Sequence, residues 1–455
     1  VSASAPPAET ARSAPPTERL TDLGNARRLV RRHGRELRYC APLRQWLVWS
    51  GDRWRPDVTG EVERRAKATV ASIYSEAEGC QDGEERSKVA KHAVASEAEA
   101  RLRAMVALAR TEPTVALHPD QLDAEPWLLS CANGTVDLTS GELHEADPTE
   151  LLTRGNEIAY DGSAECPRWL RFLAEVFDGD TELVAFMQRL IGYTLTGDTR
   201  EHVLAVLHGS GCNGKTTLVE IVKCLLGDLA LAAAFESFAR VHGNRGPRND
   251  LARLHRARMV IAAESGEGRK LDEATLKQVT GGDTIAARFL YGEHFEFRPR
   301  FKLWLVTNHR PRVDGSDDAV WRRLRLIPFE VSFRGHEDRT LAADLEAELP
   351  GILAWAVEGC LAWQHDGLGE AGAVTSATRE YREEEDVLGA FLAERCELEG
   401  EVEAATLREA FDAFCGEIGE RPPGAAVLGR RLARRGIESR RGTAGRRVYG
   451  GVSLR

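Results

Sequence analysis

The sequence lacks any uninterrupted apolar run of the ~18 residues that a membrane-spanning helix needs, and its N-terminus lacks the charged-then-apolar pattern of an export signal. A soluble, cytoplasmic chain without a membrane partner is expected. Paired cysteines are absent too. Nine cysteines are scattered (Cys40, Cys80, Cys131, Cys166, Cys212, Cys224, Cys360, Cys396, Cys415) with no CxxC pair, which argues against a disulfide framework or a zinc site and for a reducing compartment. There is no basic excess: the net charge is −10. Attraction to nucleic acid would therefore depend on where basic residues cluster, because counterions are displaced only where protein meets phosphate. No internal repeat is present. What is there, 455 residues of which 42% are hydrophobic, suffices for two to four domains with substantial cores.

Residues 1–18 are Ala/Pro/Ser/Thr-rich without apolar periodicity and predict a disordered tail. A short helix over Asn25–Arg32, a meander through Leu37–Tyr39, Trp46–Trp49 and Arg53-Trp54, and two helices within 61–111 follow. Helical spacing returns over Pro167–Phe177 and Glu182–Tyr193. From 203 to 345, strand and helix signals alternate, the pattern of an α/β fold. Residues 346–366 read as a helical lid. Helices near 386–395, 404–418 and 424–435, then strands around Ile437–Arg440 and Arg446–Leu454, give the order of a winged helix. The expected domains are an N-terminal mixed α+β/helical one over 19–190, an ATPase over 191–345, a lid or linker over 346–375 and a winged-helix-like DNA-binding domain over 376–455.

The strongest motif follows the strand-length run Val203–Leu207: Gly209-Ser210-Gly211-Cys212-Asn213-Gly214-Lys215-Thr216-Thr217, continued by helical spacing to Leu226. This is GxxxxGK[ST] in strand–loop–helix context, a P-loop. Glycines admit positive φ, so successive N–H groups can converge on phosphate oxygens, and the helix dipole adds positive potential there. Lys215 is expected to reach the β- and γ-phosphates of ATP, and the Thr216 hydroxyl to ligate Mg²⁺.

Two later apolar strands end in polar residues. Arg258–Ala263 delivers Glu264, which orients water or serves the metal, or is simply a surface residue. Phe301–Thr307 delivers Asn308, whose amide reads the γ-phosphate or merely starts a turn before Pro311. In Trp321-Arg322-Arg323-Leu324-Arg325-Leu326-Ile327-Pro328-Phe329, the arginines form a solvated face or reach a neighbouring subunit's nucleotide.

Taken together, GSGCNGKTT at 209–217, RARMVIAAE at 256–264, LKQVTGGDTIAARFLYGEHFEFRPRFKLWLVTN at 276–308 and DDAVWRRLRLIPF at 317–329 resemble the superfamily 3 helicases, specifically the helicase part of phage and plasmid primase-helicases. The resemblance extends over about residues 20–455 and is strongest over 190–330. It implies a P-loop AAA+-type core with Lys215 and Thr216 as the Walker A pair, Glu264 as the Walker B acid and Asn308 as sensor. Arg322 or Arg323 becomes the finger acting in trans, with Arg323 preferred. Many relatives carry paired acids where this chain has Ala263-Glu264-Ser265. The resemblance also implies a ring, expected to be a hexamer, that threads single-stranded DNA past a hairpin. Candidate hairpin strands are Arg288–Tyr291 and Phe295–Phe297 with Gly292-Glu293-His294 at the tip, making Lys277, Arg288 and His294 possible DNA contacts.

At the C-terminus Arg430, Arg431, Arg434 and Arg435 fall on one helical face beside Val427, Leu428 and Leu432, and Arg446 and Arg447 lie in the following hairpin. They either contact DNA phosphate without sequence specificity or form a solvated face balancing nearby acids. The expected activity is ATP-driven duplex unwinding during phage or plasmid-type replication, with a separate primase or polymerase as partner, since little of the chain is left for primase chemistry. The alternatives are an ATP-dependent loader or switch, and a defence ATPase.

Overall fold

The computed structural model describes residues 18–240, 249–263, 269–288, 294–313, 318–420, 422–442 and 446–455. The chain divides into two units. The first gathers residues up to Glu125 with Asn133–Thr135 and Glu145–Arg154; the second holds Pro126–Ala132, Val136–His144 and Gly155–Arg455.

In the first unit, helix α1 (Asp22–His33) is capped by the Thr21 hydroxyl, which accepts from the Gly24 N–H. Strands β1 (Leu37–Cys40), β2 (Gln45–Trp49) and β3 (Trp54–Pro56) form the meander, and β4 (Ala116–Leu117) joins β1 in parallel, in the order β3-β2-β1-β4. Between β3 and β4 stand three helices, α2 (Glu61–Gly79), α3 (Gly83–Ser96) and α4 (Glu99–Ala109), where two were expected. The extra break comes from Asp82, whose carboxylate accepts from the Glu84 and Glu85 N–H groups and so starts a new helix. Ala26, Leu29, Val62, Ala66, Val70 and Met105 make the core.

A buried polar trio sits among these helices: His92 Nε2 lies 2.9 Å from Asn25 Oδ1, and Asn25 Nδ2 donates to Ser96 Oγ at 2.9 Å. Burial, then Arg28 and Arg101, hold the imidazole below its ordinary value, against Asp22 and Glu76. The unfolded chain therefore takes up this proton at higher pH than the folded one. The stabilisation is fully present above the ordinary histidine range and is lost as pH falls through the lowered folded value. Replacing His92 by Gln should flatten this acid limb in thermal melts of the protein; an unchanged limb would assign it elsewhere.

After strands β5 (Leu128–Cys131), β6 (Gly134–Asp137) and β7 (Glu142–His144), the second unit continues with α5 (Pro167–Val176), α6 (Thr181–Leu195), β8 (Leu204–His208), α7 (Lys215–Leu226) and β9 (Ala230–Ala234). Next come α8 (Asn249–Ala252), β10 (Met259–Ala263), α9 (Glu273–Thr280), β11 (Ile285–Arg288), β12 (His294–Phe297), β13 (Lys302–Thr307), α10 (Asp318–Trp321) and β14 (Leu324–Pro328). Five of these strands form one all-parallel sheet in the order β14-β8-β13-β10-β9. Its central strands are nearly continuous apolar runs because both faces are covered: Leu204–Leu207 is buried throughout, as is Lys302–Leu305.

Helices α11 (Leu341–Ala347) and α12 (Leu349–Asp366) follow. The segment expected to be a lid is instead a core helix: α12 buries Ile352, Leu353, Trp355, Ala356, Val357, Cys360 and Trp363, apolar around most of its circumference, and packs on α6. The contact is close. A Cβ on Gly192 would stand 2.1 Å from the Cys360 amide nitrogen. Helices α5 and α6, expected with the N-terminal domain, contribute Trp169, Phe172, Leu183, Phe186 and Leu190 to this same core.

At the amino end of β13, Lys302 is 2% exposed. Its ammonium donates to the carbonyls of Thr196 and Asp198 and lies 4.7 Å over the Tyr193 ring. Beside it the Arg258 guanidinium donates to the carbonyls of Leu195 and Leu128. Two buried cations thus satisfy the carbonyls where α6 ends, fixing that helix to the sheet. Replacing Lys302 by Met should cost about 2–3 kcal/mol in urea unfolding, the loss of charge-assisted bonds to carbonyls left buried; an unaltered midpoint and slope would reject this role.

The last part comprises α13 (Gly372–Glu384), α14 (Val387–Arg395), β15 (Cys396–Glu397), β16 (Glu401–Glu403), α15 (Ala404–Glu417), α16 (Ala425–Ala433), β17 (Ser439–Arg441), β18 (Arg447–Gly450) and β19 (Ser453–Leu454). Its own core joins Leu388, Phe391, Leu407, Phe411, Leu428 and Leu432. The short strands β15 and β16 were not anticipated; they pair with β19 and β18.

Candidate functional site

In a parallel sheet every strand delivers its following residue to the same edge. Here the carboxyl edge carries the Gly-rich loop after β8 and Asn308 after β13, and these two strands are neighbours, Thr307 opposite His208. Adjacency of the two strand ends brings the predicted residues together: Lys215 Nζ donates to Gly209 O at 2.6 Å, Asn213 Oδ1 at 3.0 Å and Asn308 Oδ1 at 3.1 Å.

The loop's shape is set by close approach. A Cβ on Gly209 would meet the Phe329 carbonyl oxygen at 2.1 Å. Gly214, with φ +85, ends the loop in the left-handed region, and a Cβ there would meet Val176 Cγ2 at 2.7 Å. Two bonds strap the loop to the chain after β14: Asn213 Nδ2 donates to Phe329 O at 3.0 Å, and the Phe333 N–H donates to Cys212 O at 2.7 Å. These backbone partners carry no signature in the sequence.

Lys215 is 4% exposed, and burial pushes its ammonium below the ordinary lysine value. All three of its partners are neutral oxygens, and no carboxylate among the described residues pairs with it. Such a cation is stabilised by a bound anion. Behind it α7 begins with no side-chain cap, so its first N–H groups and the positive end of its dipole point the same way. Thr216 is exposed and Thr217 half-buried at this turn, next to Gly211 and the exposed Cys212. His208, on the strand end, is held below its ordinary value by burial, then by Arg310 and Lys215. Glu264 lies outside the described residues; β10 ends just before it at Ala263, opposite Val306 of β13.

Arg322 and Arg323 lie at the other edge of the sheet, just before β14, whose Leu324 pairs with Leu204 at the start of β8. Arg323 is held by local bonds: Nε donates to Thr280 Oγ1 at 3.1 Å and Nη1 to Ala319 O at 2.6 Å. It ties α9 to α10. Arg322 is exposed, with no side-chain partner among the described residues.

β11 and β12 pair antiparallel; the first described strand starts at Ile285, three residues before the expected Arg288, because Ile285 and Ala287 face the core together with Phe297, and His294, expected at the tip, instead begins β12. Arg288 is opposite His294 in the register. Residues 289–293 lie outside the described residues, as does the His294 side chain. Lys277 stands in the last turn of α9. At the C-terminus Arg430 and Arg434 are exposed on and just after α16, while Arg431 is half-buried. Arg446 pairs with Glu403 at 3.1 Å, Arg447 Nε donates to Ser439 Oγ at 3.1 Å, and Arg435 pairs with Asp386. Such exposed pairs contribute little and are readily exchanged.

Among the described residues no group of three metal-ligating side chains occurs, and no helix is long and apolar enough to cross a membrane.

Comparison with known proteins matches residues 26–178 to a "D5 N terminal like" family model and residues 207–323 to a family of unknown function (DUF5906). Among curated proteins, the chain is 29% identical over 293 residues to "Putative helicase L207/L206" of Acanthamoeba polyphaga mimivirus, covering 60% of this chain and 30% of that protein. It is 24% identical over 231 residues to "Putative primase C962R" of African swine fever virus, covering 48% and 23%. The chain thus spans less than a third of the length of these relatives. Among solved structures, the apo C-terminal region of NrS-1 superposes with a TM-score of 0.52 at 12% identity, covering 95% of this chain and 99% of that one, a likeness of fold. By these matches the chain is similar in sequence to viral proteins named as putative helicases and a putative primase, and in fold to the NrS-1 C-terminal region.

Proposed function

We propose that the chain is the ATP-hydrolysing motor of a DNA replication helicase, working as a ring, expected to be a hexamer, with nucleotide clamped between adjoining copies. The observation that carries this reading is the buried Lys215 ammonium, held by three neutral oxygens at the carboxyl edge of the sheet. The Gly-rich loop acts as a P-loop: its N–H groups and the α7 dipole bind the phosphates, and Lys215 exchanges a neutral partner for phosphate oxygen. Residues 209–217 supply the cradle. Thr216 offers an exposed hydroxyl that would hold Mg²⁺ alongside phosphate and water ligands, and an ion held there would supply positive charge to the phosphates. Asn308, already bonded to Lys215, reads the γ-phosphate, and Glu264 follows a strand whose end neighbours that of β13, consistent with a role in orienting water. The names of the viral relatives support a replicative role.

In this reading Lys277, Arg288 and His294 grip single-stranded DNA. The three helices α14, α15 and α16 with the strands β16, β17 and β18 act as a winged helix that holds duplex phosphate. Replacing Arg430 and Arg447 by Ala should weaken DNA binding uniformly across sequences and lower the slope of log affinity against log salt by about 2, one per lost phosphate contact. An unchanged slope would remove that surface from the DNA path. The decisive experiment is unwinding of a forked duplex by the protein with ATP and Mg²⁺. Strand separation that requires hydrolysis supports the motor. DNA-stimulated turnover without separation would favour a loader.

A further inference from the structure

A cavity of about 410 Å³ opens beside β14, on the strand that ends the sheet. It is lined by four guanidinium groups, Arg322, Arg325, Arg379 and Arg382, with Thr375 on α13 and Phe186 on α6. Acids offset this charge only in part: Glu370 lines the cavity and Glu201 lies close enough to act on Arg325. Arg382 pairs with Asp318. Arg325 donates only to the carbonyls of Arg322 and Leu324, at 2.8 and 3.1 Å, and burial lowers its pKa. Arg322 and Arg379 are exposed without a side-chain partner among the described residues.

Gathering like charges in a concave, partly desolvated space raises the free energy of the empty protein, and a polyanion of matching size relieves it. The geometry is fixed by the fold. Thr378 Oγ1 accepts from the Leu326 N–H at 3.0 Å, so α13 is stitched along the outer strand of the sheet and presents Thr375, Arg379 and Arg382 to β14. Arginine forks suit phosphoryl oxygens, and a space of this volume fits a compact chain of phosphates.

We propose that this cavity is a second anion site, distinct from the Gly-rich loop, and that it takes the triphosphate tail of a nucleotide. The tail comes from nucleotide in solution. The role of Arg322 in trans covers one guanidinium; the site adds Arg325 and Arg379 on independent elements and does not require assembly.

The test uses Lys215→Ala protein, which removes the first site's cation, titrated calorimetrically with inorganic tripolyphosphate. A single saturable site per chain is expected, weakened about tenfold or more in Lys215→Ala/Arg379→Glu, since a lost charge-assisted contact is worth of that order. Arg379 is exposed, so its reversal should leave the fold intact, and a far-ultraviolet spectrum matched to the parent checks this. A second background, Lys215→Ala/Arg322→Glu, should lose affinity similarly. Binding should persist at dilutions where the chain is monomeric; binding only where copies associate overturns a site that stands within one chain. Absence of binding at both concentrations, or equal affinity in both Arg variants and the parent, overturns the site. Failure of the ring reading alone would leave the monomer arm intact.

Discussion

Lys215→Ala should abolish ATP turnover, by at least about a hundredfold, given what a preorganised cation contributes to phosphoryl transfer. The ammonium is buried, desolvated and placed between two loop oxygens and the Asn308 amide. No other lysine or arginine among the described residues shares those contacts. The fold should survive, because the substitution deletes a buried cation rather than stranding one. What remains are oxygens of Gly209, Asn213 and Asn308 close to a loop that water can enter, since Cys212 and Thr216 are exposed. Two measurements separate function from folding. The thermal midpoint without nucleotide should match the parent, whereas the rise in midpoint with ATP and Mg²⁺, which linkage sets by RT ln(1 + L/Kd) with L the free ligand concentration, should shrink to the part contributed by the arginine-lined cavity and disappear in Lys215→Ala/Arg379→Glu. Persisting turnover would place the nucleotide elsewhere.

How much of this site could be read from residues alone depends on which interactions are local. The Gly-rich loop, its flanking strand and helix, and the polar residue ending β13 are consecutive in the chain, and the all-buried strands announced themselves as apolar runs. Sheet order is not local. That β13 lies between β8 and β10, putting Asn308 on Lys215, follows from crossover connections that leave no periodic trace. The same limit explains the choice between the two arginines. Arg322 and Arg323 are indistinguishable as neighbours in sequence; only the folded chain brings Thr280 and the Ala319 carbonyl to Arg323. Similarly, nothing local says what the apolar faces of α12 pack on until α6 is set against them, and the partners of Lys302 appear only when the end of α6 supplies its carbonyls.

Arg322→Ala should reduce turnover of the assembled protein by about a thousandfold or more, the scale of a trans-acting arginine, and mixing it with Lys215→Ala protein should restore part of that activity. The expectation rests on the sheet. Arg322 precedes the amino end of β14, and Lys215 follows the carboxyl end of β8, paired in register from Leu204 to His208. Five residues of strand separate the two edges by roughly 16 Å, so an arginine at one edge does not serve the phosphates bound at the other edge of the same chain. It can serve an adjoining copy, and its guanidinium has no side-chain partner among the described residues to hold it back. In a mixture, some contacts pair an intact Lys215 with an intact Arg322, and turnover should follow the statistics of those contacts rather than the sum of two inactive proteins. Arg323→Ala should behave differently: losing its bonds to Thr280 and Ala319 loosens α9 against α10, lowering the thermal midpoint, and mixing with Lys215→Ala protein should give no more than additive activity. Equal complementation by both arginine variants would contradict a positional distinction between them. No recovery with Arg322→Ala, although both proteins co-assemble, would make its effect internal to one chain and remove the shared nucleotide from the mechanism.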